Sequence, residues 1–129
     1  EEELYRLFYT LSPGEFRTLM KIGTWFHAEK EEQITAKGEV PERLFFILDG
    51  TVSVDRGKSS FNVGPGVFIG ELAFLMKNPA TANVSLSKSA KGVSWNVSEL
   101  SRLLAARPQM RVAFDSLLNK DLASKLSKD

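Results

Sequence analysis

The 129-residue sequence predicts a mainly β domain, an antiparallel β-roll or jelly roll with helices at both ends. Apolar residues recur at helical spacing near both termini, whereas residues 24–97 carry short strand-like runs separated by glycines. The length also suits one domain, since most domains have about 100–150 residues. We therefore expect a single domain over 1–129, with helices over 3–22, a β-roll over 24–97 and C-terminal helices over 98–127.

Two short helices are predicted before the β-roll. Leu4 and Phe8 share a helical face in the first of them. The second has a clear start, because Ser12 suits the N-cap, Pro13 suits the first position, and Glu15 completes a capping box. The apolar stripe that follows ends at residue 23.

The clearest strand pattern lies between residues 44 and 54. An apolar run over 44–48 leads into Asp49-Gly50, and residues 51–54 then alternate between polar and apolar. A strand, an Asp-Gly pair and an alternating strand together predict a β-hairpin. Residues 82–86 and 92–97 are predicted as two closing strands. Trp25 and Trp95 fall in predicted strands, and we expect both to pack in the core.

Two helices are predicted at the C-terminal end. Ser98 is the expected cap of a helix over 99–106, and Pro108 breaks that helix and starts the next. The apolar face of the last helix comprises Met110, Phe114, Leu117, Leu118, Leu122 and Leu126. Three roles stay open for this face: it packs on the roll, it forms a homodimer with a second copy, or it closes over a ligand.

Composition excludes several function classes. The chain has 17 Lys+Arg against 16 Asp+Glu, so it lacks the basic excess that a nucleic-acid-binding face needs, and a helix-turn-helix has no room after residue 98. It has no cysteine, and its one histidine, His27, cannot by itself build a metal site or support a catalytic triad. We therefore expect neither direct DNA binding nor an enzyme.

Nothing in the sequence predicts a membrane span. No run reaches the roughly 18 apolar residues that a spanning helix needs, and no signal peptide is recognisable. The sequence begins at Glu1 without an initiator methionine, so an upstream domain or membrane anchor stays open as an alternative.

The segment over 70–84 departs from strand patterning. Gly70 is expected to open a short helical turn that runs to Met76, and Asn78-Pro79 to end it. The start of a helix beside a glycine offers free backbone N–H groups to an anion. Glu71 suits this position, and its carboxylate can accept hydrogen bonds from a sugar hydroxyl.

Four motifs occur in a family-specific order. They are Lys37-Gly38-Glu39, the 44–54 segment through Gly50, Gly64-Pro65-Gly66, and Gly70-Glu71-Leu72-Ala73 through Pro79. Over residues 16–126 the chain thereby resembles a cyclic nucleotide-binding domain, the module of cyclic-nucleotide-responsive transcription factors, kinase regulatory subunits and channels. The resemblance implies a non-enzymatic, ligand-sensing regulatory module. Its ligand would be cyclic AMP or cyclic GMP, with no other cofactor, and it would lie in the cytoplasm or in a cytoplasmic domain of a membrane protein.

In that family the stretch matching residues 70–84 is the phosphate-binding cassette. By position, Glu71 would bond the ribose 2′-hydroxyl, and the amides of Leu72 and Ala73 would face the cyclic phosphate. Ala82 and Asn83 would lie near phosphate and base, and Asn83 stands where a Thr or Ser is usual. The implied ligand-binding residues are Gly70, Glu71, Leu72, Ala73, Thr81, Ala82 and Asn83.

The cassette lacks one usual residue. Ala80 follows Pro79 where the family has an arginine. Because a hydrogen bond to a charged group contributes about 1.5–3 kcal/mol, this loss weakens the usual pose by roughly 10- to 100-fold. Popeye-domain proteins also depart from the usual cassette, but the chain is only loosely similar to them. The alternative function is therefore a ligand-free domain that serves protein interaction or oligomerisation.

Overall fold

The structure, a computed structural model, describes residues 2–126. Within this range the helices are α1 (Glu2–Leu7), α2 (Pro13–Lys21), α3 (Glu71–Met76), α4 (Val97–Ala106) and α5 (Pro108–Leu126). The strands are β1 (Thr24–His27), β2 (Glu32–Thr35), β3 (Arg43–Asp49), β4 (Val52–Asp55), β5 (Ser60–Val63), β6 (Val67–Ile69), β7 (Asn83–Leu86) and β8 (Lys91–Asn96). Position 127, to which the C-terminal helices were expected to extend, lies outside the described residues.

The strands form two antiparallel sheets that face each other. One sheet has the order β1-β8-β3-β6 and the other has the order β2-β7-β4-β5. The helices pack on the outer face of the first sheet, and the two sheets enclose the inside of the roll. The predicted fold class, an antiparallel β-roll with flanking helices, is confirmed.

The prediction of a β-hairpin around Asp49-Gly50 is wrong, because β3 and β4 do not pair with each other. Strand β3 pairs with β6 and β8, whereas β4 pairs with β5 and β7, so this turn carries the chain from one sheet to the other. Gly50 has a φ of 87°, and a Cβ there would lie 2.8 Å from the Cα of Ala90. An Asp-Gly pair supplies this backbone conformation equally well to a hairpin or to a corner between sheets. The hairpin in this region is the next one, β4 with β5, in which Val52 pairs with Val63.

The predicted start of α2 is confirmed, and that of α4 is wrong. The Oγ of Ser12 accepts from the Glu15 amide at 3.2 Å, and the Glu15 carboxylate accepts from the Ser12 amide at 2.9 Å. Helix α4 begins one residue before the expected Ser98 cap, because the Oδ1 of Asn96 accepts from the Glu99 amide at 2.9 Å. Asn and Ser are comparably good N-caps, so composition alone does not separate the two positions.

An aromatic core fills the space between the first sheet and the helices. Its rings lie 4.9–6.5 Å apart and belong mainly to Phe8, Phe46, Phe68, Trp95 and Phe114. Trp95 is fully buried and donates its indole N–H to the carbonyl of Leu19 at 3.0 Å. The core position expected for Trp25 is wrong: its side chain is 47% exposed, because β1 is the edge strand of its sheet.

The inside of the roll holds smaller side chains. They are Ala28, Ile47, Val52, Val54, Ile69, Ala82, Val84, Leu86 and Ala90. Of the apolar face predicted for α5, the residues up to 118 are buried on the first sheet, Leu122 is half-buried, and the side chain of Leu126 lies outside the described part. Across residues 2–126 no helix is both long and apolar enough to cross a bilayer.

Candidate functional site

A cavity of about 780 Å³ opens at one end of the roll. Its walls come from α3, the segment 79–82, the β4–β5 hairpin, the turn 64–66 and the last turns of α5. Because the side chains inside the roll are short, the two sheets leave this volume unfilled at the end where α3 and α5 meet. The volume falls within the roughly 300–1,000 Å³ typical of small-molecule sites.

The start of α3 follows from the conformation of Gly70. Its φ of 97° is one that side-chain-bearing residues rarely adopt, and it turns the chain sharply from β6 into the helix. The amide of Phe74 donates to the Gly70 carbonyl at 2.9 Å. The amides of Leu72 and Ala73 therefore precede the first hydrogen bond within α3, and both residues line the cavity.

The segment after α3 is fixed by backbone pairing to the loop that precedes β3. The carbonyl of Ala80 accepts from the amide of Gly38, and the amide of Ala80 donates to the carbonyl of Glu39, both at 2.9 Å. The hydroxyl of Thr35 donates to the carbonyl of Ala82 at 3.0 Å. This pairing explains why Lys37-Gly38-Glu39 and the cassette occur together: the first motif holds the second in place.

The structure brings together all but one of the candidate ligand-binding residues. The cavity is lined by Gly70, Glu71, Leu72, Ala73, Thr81 and Ala82. Asn83 instead is exposed, and its Oδ1 accepts from the amide of Lys37 at 2.8 Å. Alternation along the strand explains this difference, since the neighbouring Ala82 and Val84 face into the roll. The ligand-binding roles of these residues stay predictions.

Glu71 lies under the end of α5. Its side chain is buried, and its Oε1 accepts from the Nζ of Lys125 at 2.7 Å. The same ammonium lies 3.1 Å from Oδ2 of Asp121 and also donates to the carbonyl of Phe68. The other oxygen, Oε2 of Glu71, is buried and receives no hydrogen bond within the described part of the chain.

Burial raises the pKa of Glu71 from its ordinary 4.5 to about 9, and the neighbouring Asp121 adds to the rise. The ammonium of Lys125 acts in the opposite direction, but its attraction does not outweigh the loss of hydration. Burial therefore favours the protonated form of Glu71. The ammonium of Lys125 lies beside the carboxyl groups of Glu71 and of Asp121, which is four residues earlier on the same helix.

Residue-by-residue reasoning on the sequence missed the part of the site that α5 supplies. Asp121 and Lys125 continue the buried stripe formed by Phe114 and Leu118, so their helical positions already indicated polar side chains turned toward the protein. Arg56 was missed as well: it lines the cavity, and its guanidinium lies 5.3 Å from the ring centre of Phe61.

Comparisons with known proteins agree with this arrangement. A family model described as cyclic nucleotide-binding domain matches residues 25–107. A cyclic nucleotide-gated potassium channel of Mesorhizobium japonicum is 31% identical over 77 residues, which are 60% of this chain and 21% of that protein. The chain spans between 21% and 26% of the length of the curated relatives it matches.

Solved structures show the same fold. A cyclic nucleotide-binding domain from Methylobacillus flagellatus superposes with a TM-score of 0.80 at 23% identity, covering 92% of this chain and 70% of that one. A putative cyclic nucleotide-binding protein from Geobacter metallireducens has a TM-score of 0.81 at 16% identity, covering 94% and 92% of the two chains. At these identities the likeness concerns the fold alone.

Proposed function

The chain belongs to the cyclic nucleotide-binding domain family, and on that premise we propose that it is a non-enzymatic sensor module that binds cyclic AMP or cyclic GMP in the cavity beside α3. The observation that carries the proposal is the position of Glu71, a buried carboxyl group at the start of α3 in the wall of a cavity of about 780 Å³. We place the module on the cytoplasmic side of the cell, alone or as a domain of a membrane protein such as a channel.

The lining of the cavity offers a partner for each part of the ligand. Glu71 accepts from the ribose 2′-hydroxyl, as the family pattern implies. The amides of Leu72 and Ala73 and the hydroxyl of Thr81 face the cyclic phosphate. With Ala80 in place of arginine, the cations in the cavity wall, within the described residues, are Arg56 and Lys125.

A second candidate function is an interaction module that binds no nucleotide. It is favoured by the exposed apolar side chains of Leu72 and Met76, 45% and 61% exposed, which lie one turn apart on α3. Homodimerisation through the C-terminal helices has less support, since the apolar face of α5 up to residue 118 packs within the chain.

Binding of a nucleotide and of its 2′-deoxy analogue separates these functions. Titration calorimetry with cyclic AMP and cyclic GMP should show saturable binding, and 2′-deoxy cyclic AMP should bind about 10- to 100-fold more weakly, because it lacks the hydroxyl that Glu71 accepts. In Glu71→Ala, cyclic AMP and 2′-deoxy cyclic AMP should bind with equal affinity. A site held at 100 times its dissociation constant should also stabilise the fold by about 2.7 kcal/mol.

The matched control is Glu99→Ala, which removes an exposed glutamate from the first turn of α4. It should retain the preference for the ribose hydroxyl. If millimolar nucleotide neither binds nor stabilises the chain, the interaction module is the better explanation. If Glu71→Ala still discriminates against the deoxy analogue, the proposed pose is wrong.

A further inference from the structure

One arginine of the β4–β5 hairpin lies across the sheet from the cassette. Asp55 pairs with Asn83 in the register of β4 and β7, so one step beyond this pair Arg56 lies opposite Ala82. Val54, two residues before Arg56, faces the inside of the roll, and strand alternation turns Arg56 to the same side. Arg56 and Ala82 both line the cavity. A cation of the hairpin therefore faces the same space as the cassette.

Lys37 joins the backbone of this arginine to the cassette. The Nζ of Lys37 donates to the carbonyl of Arg56 at 3.2 Å, and its backbone amide donates to the Oδ1 of Asn83 at 2.8 Å. The next residue of the same loop, Gly38, donates its amide to the carbonyl of Ala80 at 2.9 Å. One loop thus holds both Arg56 and the position at which the family pattern has an arginine.

The two cations in the described part of the cavity wall differ in their partners. The ammonium of Lys125 lies 2.7 Å and 3.1 Å from carboxyl oxygens of Glu71 and Asp121. The guanidinium of Arg56 forms no ion pair with any of the described residues, and it lies 5.3 Å from the ring centre of Phe61. A contact with a ring orients a guanidinium without neutralising its charge. Arg56 therefore has a positive charge available for an anion in the cavity.

We propose that Arg56 binds the cyclic phosphate and supplies, from the β4–β5 hairpin, the guanidinium that the cassette lacks at Ala80. The proposal rests on the proposed function and adds to it the residue that neutralises the charge of the ligand. Arginine suits this role because it stays charged at any physiological pH, and its planar group donates two parallel hydrogen bonds to phosphate oxygens. The hairpin then compensates for the departure from the family pattern.

A guanidinium beside a ring also suits a second role, stacking on the purine base. The two roles differ in how Arg56 relates to position 80. If both positions serve the phosphate, an arginine introduced at position 80 replaces the contact that Arg56 makes, and the two side chains are coupled. If Arg56 stacks on the base, its contribution to affinity does not depend on position 80. A double-mutant cycle therefore separates phosphate binding from base stacking.

The test measures the affinity for cyclic AMP and cyclic GMP, by titration calorimetry, in the 129-residue chain and its variants. Arg56→Met removes the guanidinium, and Lys58→Met is the matched control. Lys58 is exposed on the same hairpin and lies outside the cavity wall, so its variant loses the same unit of net charge without a contact in the cavity. Arg56→Met is also made in the Ala80→Arg chain, which completes the cycle.

We expect Arg56→Met to weaken binding of both nucleotides by about tenfold or more, because a hydrogen bond to a charged group is lost. Lys58→Met should leave both affinities nearly unchanged, and in the Ala80→Arg chain the loss from Arg56→Met should be clearly smaller. An unchanged affinity in Arg56→Met, or an equal loss in the two backgrounds, would overturn the role of Arg56 at the phosphate. If none of these proteins binds either nucleotide, the proposed function itself is overturned.

Discussion

The two sides of the first sheet are packed in opposite ways. On the helix side, Phe8, Phe68 and Trp95 are buried and pack against one another and against further rings. On the roll side, the buried side chains are alanine, valine, isoleucine and leucine, and a cavity of about 780 Å³ lies beside them. Consecutive residues of β3 face opposite sides of the sheet: Phe46 faces the helices and Ile47 faces the inside of the roll.

The difference indicates which side of the sheet stabilises the fold and which side leaves space that a ligand could occupy. Close packing of large rings provides most of the dispersion and hydrophobic stabilisation, and a void forfeits both. A fold that keeps open space on one face of a sheet must therefore be held from the other face. In this chain the aromatic side holds the sheet, and the aliphatic side can leave room for a guest.

The largest effect is expected from a substitution in the aromatic core, on the helix side of the first sheet. Trp95→Ala removes a fully buried indole and its hydrogen bond to Leu19, so the free energy of unfolding should fall by about 3–5 kcal/mol. Trp25→Ala is the matched control on the exposed edge strand and should change stability by about 0.5 kcal/mol or less. Urea denaturation of both variants measures the difference. Similar losses at the two tryptophans would contradict the assignment of the core.

A smaller effect is expected from a substitution in the cavity, on the roll side of the first sheet. Ala80→Arg restores the guanidinium that the family pattern places after Pro79, on a residue that already lines the cavity. If the cyclic phosphate binds there, affinity should rise by about 10- to 100-fold, equivalent to about 1.5–3 kcal/mol, as measured by calorimetry. An unchanged affinity would show that the phosphate lies elsewhere in the cavity.

The last effect, at most about 1.4 kcal/mol for each pH unit, concerns the buried carboxyl group of Glu71. Because the pKa of Glu71 is raised from 4.5 to about 9 by burial and by Asp121, the folded chain keeps a proton that the unfolded chain releases. Its contribution to stability is complete below pH 4.5 and declines as the pH rises toward 9, by at most about 1.4 kcal/mol per pH unit.

Urea denaturation between about pH 5 and pH 9, the range over which the proton on Glu71 is released, measures this slope. Glu71→Gln cannot titrate, so its stability should depend less on pH than that of the unmodified chain. Glu99→Gln, at an exposed position, should leave the dependence unchanged. A slope that is equal in all three proteins would contradict the raised pKa.

Local signals in the sequence were enough for most of the fold. The Ser12 capping box and the Pro108 helix start depend on neighbouring residues only, and both predictions are confirmed. The strands around Gly50 were also found, but not their partners. A glycine with positive φ serves a hairpin and a corner alike, and the choice depends on contacts with Ala90, forty residues later.

The site could be predicted from the sequence only where its structure depends on residues that are adjacent in the chain. The turn from Gly70 into α3 is encoded by adjacent residues, and the structure has it as expected. The cover over Glu71 depends on Lys125, which is 54 residues away, and the sequence carries no pairing rule for such distances. Asn83 shows the opposite case, because the family position suggested a ligand contact while strand alternation turns its side chain toward Lys37.

The corner at Gly50 also bears on how the chain acquires its fold during synthesis. Among consecutive strands only β4 and β5 pair with each other, and β1 pairs with β8. Residues 24–27 therefore leave the ribosome long before residues 91–96 exist to receive them. Non-local pairing of this kind folds slowly. The nascent chain therefore exposes a strand bearing Trp25 and Phe26 until residues 91–96 have been synthesised, and unpaired strands of this kind favour association between chains.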